Sequence, residues 1–202
     1  MKKLIKSIIH NWYIYLTGLI VAIFVIDYSL TLLYMPRNEE TFTMFLALAN
    51  GDVTLLNRKL NNKKPDYLRE LNTYGVKHNS DEFERYFKIY GHTTSDVVIL
   101  PKYLVEEENV VRYYTPITNE IKNEYFKDYS FYKSGIDNNN YGVLLHSVGQ
   151  KNNDVLSYYD KDFDDEYYAF FMKGSKHIGK LNNVKWTTAF DFVKLIKYYE
   201  KN

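Results

Sequence analysis

Asp160-Lys161-Asp162-Phe163-Asp164-Asp165-Glu166 is the stretch whose residue types come nearest to a ligand set, since it opens with the D-x-D-x-D of a calcium loop. A loop of the EF-hand kind also needs glycine at its sixth position, for the sharp turn, and a bidentate glutamate at its twelfth. Those positions hold Asp165 and Phe171, so the string is read first as an acidic surface turn between strands, with a cation site as the lesser expectation. The five histidines (His10, His78, His92, His146 and His177) have no paired ligand spacing and read as surface or packing residues. No metal or cofactor is expected. Nucleophile elbows, Walker loops, dinucleotide-binding glycine fingerprints and His-Glu-x-x-His pairs are all missing. The expectation is therefore a protein that is not an enzyme, although a dispersed hydrolytic triad would leave no local pattern.

The elements that must carry any site begin with a membrane segment. Lysines 2, 3 and 6 lead into an apolar run from Trp12 to Tyr34, which Arg37, Glu39 and Glu40 follow. A hydrocarbon layer of about 30 Å takes about 20 mostly apolar residues to cross as a helix. Ile14 to Leu33 supplies that length with one charge, Asp27. A cleaved signal has a shorter apolar centre and a small-residue cleavage step, neither of which is found here. The sequence predicts an uncleaved anchor over residues 1–36 and one domain over 37–202. The lysine bias puts the N-terminus in the cytoplasm and the domain outside, in a single-pass arrangement. Trp12, Tyr13, Tyr15, Tyr28 and Tyr34 suit the aromatic belts at the two interfaces. Asp27 has two readings: a mid-bilayer carboxylate in need of a partner, or, if the span slides to Ile8–Ile26, a group at the outer headgroups. The second is preferred. Gly18 and Ala22 make one small-xxx-small pair, which alone does not establish a dimer.

About 165 residues beyond the anchor suffice for one domain with a real core. Cysteine is absent, so neither disulfides nor thiolate metal sites exist. Tyrosine is frequent (21 residues), which suits aromatic core filling as well as ligand clefts. The net charge of +1, with basic residues scattered, speaks against nucleic acid as a partner.

Along the domain, Glu40–Ala49 reads as an apolar strand, and Gly51-Asp52 as a turn and cap for a helix over Val53–Leu60. Pro65 is placed to open a short helix through Leu68 and Leu71. Phe83, Tyr86, Phe87 and Tyr90 form one apolar face of a helix over Ser80–Gly91, with Asp81 and Glu84 as a capping box and Gly91 as its left-handed stop. Asp96–Pro101 is a β-branched run, the pattern of a strand buried on both faces. Ile117, Ile121 and Tyr125 suggest another helix. Strands are expected at Tyr141–His146, Val155–Tyr159 and Glu166–Met172, and an amphipathic helix through Trp186, Ala189, Phe190, Val193 and Ile196. The class is α/β or α+β, with one compact mixed sheet.

At Asp96-Val97-Val98-Ile99-Leu100-Pro101-Lys102-Tyr103-Leu104 the chain resembles the extracellular solute-binding proteins of ABC transporters, with their type II periplasmic-binding-protein-like fold. The stretch from Glu166 to Asn182 is similar to the close of short membrane-anchored relatives in Gram-positive bacteria. Together the two cover about a third of the outside part, and a full two-lobe receptor is roughly twice as long. The resemblance implies a reduced lobe pair that binds a small solute or assists a membrane transporter. An open α/β sheet binds ligands beyond its strand ends, which points to Pro101, Lys102 and Tyr103 and, after the last strand, to Ser175 and His177. For all five, the competing reading is a turn that closes a strand. The alternative to a binding domain is a ligand-free cell-surface interaction or scaffold protein.

Overall fold

The computed structural model describes residues 12–49, 52–148, 165–179 and 184–197. The expected strand over Val155–Tyr159 and the acidic string as far as Asp164 lie outside them. The chain forms two units, Met1–Arg37 and Asn38–Asn202.

In the first unit, α1 (Trp12–Tyr34) is a 23-residue helix with no buried residue. It is long and apolar enough to cross a membrane. Its serine and threonine hydroxyls are satisfied inside the helix: Thr17, Ser29 and Thr31 donate to the carbonyls of Tyr13, Val25 and Asp27 at 2.7, 2.7 and 2.9 Å. That matters in hydrocarbon, where an unsatisfied polar group has no water to turn to.

The second unit is built on one mixed six-stranded sheet in the order β2-β1-β3-β6-β5-β4. The strands are β1 (Thr41–Leu48), β2 (Glu70–Lys77), β3 (Val97–Pro101), β4 (Phe131–Lys133), β5 (Asn140–His146) and β6 (Tyr167–Phe171). β1 runs parallel to both β2 and β3, and β3 is antiparallel to β6. β5 is antiparallel to both β6 and β4. Side chains alternate across a strand, and the core divides accordingly. Phe42, Met44, Leu46, Val97, Ile99, Ala169 and Phe171 face one side, where α2 (Thr54–Asn62), α5 (Asn119–Tyr125) and α6 (Val184–Lys197) cover them. Phe45, Ala47, Val98, Leu100, Tyr168 and Phe170 face the other, under the helical segment 83–91 and α4 (Glu107–Tyr113). Every residue of β3 and β6 is buried. The molecule is an α/β fold, and the strands expected around residues 41–48, 97–101, 140–146 and 167–171 are all present.

Two local expectations fail. Pro65 opens a turn, not a helix, with Leu68 N–H donating to the Pro65 carbonyl at 3.0 Å. The chain then enters β2, whose eight residues pair in register with β1 from Thr41↔Glu70 to Leu48↔Lys77. This edge strand is only partly buried, so its sequence lacks a clean alternation, and pairing with β1 outweighs local preference.

The helix expected at Ser80–Gly91 is shorter and irregular. Its α-helical part, α3, spans Phe83–Tyr86, and a π-helical turn over Phe87–Gly91 continues it. No side chain caps its start. Among the described glycines only Gly174 has a positive φ (84°), so Gly91 is no left-handed stop. It is glycine for room: a Cβ there would lie 2.3 Å from Cδ2 of Phe87. That ring is held by Phe45, Phe83 and His92 at centroid distances of 5.5, 5.5 and 4.3 Å. Gly91→Ala is therefore expected to destabilise the domain by about 1–3 kcal/mol through overpacking, read as a Tm lowered by several degrees. A Tm at or above wild type would show that the ring yields freely.

Candidate functional site: a polar cleft beside a buried carboxylate

The five residues singled out from the sequence fall at opposite ends of β3. Pro101, Lys102 and Tyr103 lie at its carboxyl end. Ser175 and His177 lie at its amino end, because β6 is antiparallel and its register (Val97↔Phe171, Pro101↔Tyr167) sends the chain after β6 back to the start of β3. Five residues of strand separate the two groups by about 17 Å.

At the carboxyl end the polar groups are engaged by neighbours. The Lys102 ammonium pairs with Glu166 at 2.6 Å, and Tyr168 donates its hydroxyl to the same carboxylate at 3.0 Å. The pair shifts both partners, holding Glu166 below the usual carboxyl range and Lys102 above the usual amine range. The Tyr103 hydroxyl lies 2.6 Å from His78 Nδ1, and its backbone N–H donates to Asp165 at 3.3 Å. These contacts close the strand ends against one another.

At the amino end the organising group is Asp96, which is buried. Its carboxylate accepts the Thr43 N–H at 2.8 Å and the Ser175 hydroxyl at 2.5 Å. Its backbone N–H donates to the Thr43 carbonyl at 2.7 Å, and its carbonyl accepts the Met172 N–H at 3.0 Å. One residue thus ties β1 and β3 to the chain leaving β6. Ser175 in turn accepts the His177 N–H at 3.1 Å. Its hydroxyl proton is committed to a carboxylate, so no imidazole activates it as a nucleophile needs.

His177 is 0 % exposed, so its ring is not on the surface of the cleft. Its ring lies against Tyr67 and meets Phe42 edge-on at 5.5 Å. Nε2 is 2.9 Å from the Thr41 carbonyl, which can only accept, so the proton sits on Nε2. Nδ1 lies 3.3 Å from the Tyr67 hydroxyl, and Tyr67 is itself hydrogen-bonded to Thr188 of α6. Desolvation pushes the Tyr67 phenol above its ordinary value.

Above Asp96 opens a cleft of about 380 Å³. One wall is Thr93, Thr94 and Ser95; another is the turn Lys173-Gly174-Ser175-Lys176; Thr41 and Thr43 of β1 also line it. Ser95 and Thr94 donate their hydroxyl protons to the Tyr90 carbonyl at 2.5 and 3.2 Å, and Thr93 donates to Ile89. Those protons are spent, so the oxygens offer lone pairs. Donors come from the lysines: Lys173 reaches the Val111 carbonyl at 2.6 Å, and both Lys173 and Lys176 are exposed. His92, also on the lining, stands between Phe87 and Tyr113 at 4.3 and 4.5 Å, where burial pulls its pKa below 6.5. The cleft therefore offers donors and acceptors to a small polar molecule. Among the described residues no group of three or more His, Cys, Asp or Glu could hold a metal.

Of the five expected residues, Ser175 alone lines this cleft. The wall Thr93-Thr94-Ser95 was not expected, and its only trace in the sequence is three hydroxyl residues directly before Asp96. Comparison with known protein families, characterised proteins and solved structures returns no match.

Burial raises the Asp96 carboxyl above 3.8, outweighing the bonds from Ser175 and Thr43 and the nearby His177. A carboxyl raised in the folded state favours the protonated native protein, so its contribution is full below 3.8 and is lost as pH rises through the elevated value. Asp96→Asn stays neutral throughout. The Tm of this variant minus that of wild type is thus expected to become more positive as pH is raised from below 3.8 to neutrality; a flat difference would contradict it. At the other end, Lys102→Ala is expected to change stability by less than about 1 kcal/mol in denaturant titration, as for other exposed ion pairs.

Proposed function

We propose that this protein is a membrane-anchored binding domain that holds a small polar solute in the cleft above Asp96 and acts as an accessory to a transporter. The observation that carries the reading is the cleft itself, lined by Thr93, Thr94 and Ser95, by Lys173 and Lys176, and by the buried Asp96 carboxylate. The apolar α1 supports a tether, and the three lysines before it support a cytoplasmic N-terminus with the domain outside. The resemblance to solute-binding proteins fits a helix-then-buried-strand unit at residues 83–101. The single described sheet favours one lobe over a pair. No reaction is proposed.

A ligand-free surface or scaffold protein is the second reading, and one observation favours it. Ligands of open α/β sheets sit beyond the carboxyl ends of the strands, and there Lys102 and Tyr103 are bound to Glu166, Asp165 and His78.

The two separate in thermal-shift measurements on the full chain in lipid nanodiscs, screened against amino acids, sugars and inorganic anions. A stabilising solute is expected, with Lys176→Ala weakening it about tenfold, or about 1.4 kcal/mol, and Lys102→Ala leaving it unchanged. Stabilisation by none of them leaves the scaffold reading. Orientation is tested on intact cells, where a reagent that cannot enter is expected to modify Lys173; protection of that lysine would reverse the topology.

A further inference from the structure

The first unit carries one group that the binding reading leaves unused. Asp27 lies in the interior of α1, seven residues before its end, and the described span holds no Lys, Arg or His. Its depth follows from the aromatic residues that bound the apolar run in the sequence. Trp12 and Tyr34 are about 33 Å apart along a helix rising 1.5 Å per residue, which matches a hydrocarbon layer of about 30 Å. In that register Asp27 is about 6 Å from the midplane. Sliding the span to Ile8–Ile26 instead draws Trp12 about 6 Å inward. It also leaves Leu30, Leu32 and Leu33, all exposed and helical, without an apolar environment. The register set by Trp12 and Tyr34 keeps those leucines in lipid and the carboxylate with them.

We propose that Asp27 is a docking point for a second membrane helix that carries a lysine or arginine at matching depth. This rests on the reading of α1 as a membrane span. Ionised groups at such depth are costly alone and pair with one another across helices; among the described residues α1 is the one helix that could cross a membrane, which assigns the complementary charge to another chain. The neighbouring polar groups do not meet the need: Ser29 and Thr31 spend their protons on backbone carbonyls of α1 itself. At about 100° per residue, Asp27 is on the helix face opposite Gly18. The charged contact and a small-residue contact would therefore use different sides of α1.

The chain has no cysteine, so single ones take probes cleanly. In phosphatidylcholine vesicles, a spin label at Leu30→Cys is expected to lie within the hydrocarbon. Energy transfer is then measured from a designed leucine helix, with one central lysine or none, to the full chain labelled at Asn38→Cys. The lysine helix is expected to associate at least fivefold more tightly than the lysine-free helix. Asp27→Leu is expected to abolish that preference, and Asp27→Glu to restore it. A label within the bilayer with no preference for the lysine helix overturns the docking proposal and leaves the span intact. A label in water overturns both. Association between copies of the chain that is lost in Asp27→Leu without any lysine helix assigns the site to a second copy, and likewise overturns the proposal.

Discussion

Asp96 is the residue on which the second unit is organised. Its backbone and its carboxylate together bond to Thr43, Met172 and Ser175, joining three adjacent strands where no regular ladder continues. Burying a carboxylate is unfavourable unless its oxygens are satisfied, and here each oxygen has a donor at 2.8 Å or less. The same bonds hold the Thr43 backbone and the Lys173–Lys176 turn at fixed separation, which defines the mouth of the cleft. The carboxylate acts beside the Asp96 backbone bonds and the His177–Thr41 contact, which also join β1 to the chain after β6. The burial that lets this carboxyl join the strands is also what raises its pKa.

The strand direction of β6 explains much of what the sequence could and could not announce. Buried runs such as Val97–Pro101 and Tyr167–Phe171 are legible because continuous apolar, β-branched or aromatic stretches bounded by polar residues have few other uses. Their relative direction leaves no mark on composition. From sequence alone, Ser175 and His177 therefore look like strand-end residues of the same kind as Lys102 and Tyr103. Antiparallel pairing puts them at the other edge of the sheet.

Elsewhere legibility tracks burial. The helix through Ala189, Phe190, Val193 and Ile196 is clear because one face is apolar and fully buried. β2 is obscure because half its surface is wet and its pairing with β1 is a long-range fact. Gly91 is instructive in another way: its type suggests a left-handed turn it does not make, and its actual use, the space for the Phe87 ring, depends on a π-helical turn no periodicity reveals. Of the cleft, the sequence displayed Ser175 and the strand behind Asp96. The hydroxyl wall stayed hidden because threonines and serines before a strand are ordinary loop residues until a fold gives them a common direction.

A row of polar side chains also crosses the core from the last described helix to the first strand. Nε2 of His177 donates to the Thr41 carbonyl, Nδ1 meets the Tyr67 hydroxyl, and that hydroxyl meets Thr188. Tyr67, from the turn before β2, is the bridge between them. α6 and β1 are thus joined by polar contacts as well as by the apolar packing of Phe42 against Phe192, and a shift of α6 along the sheet would break both.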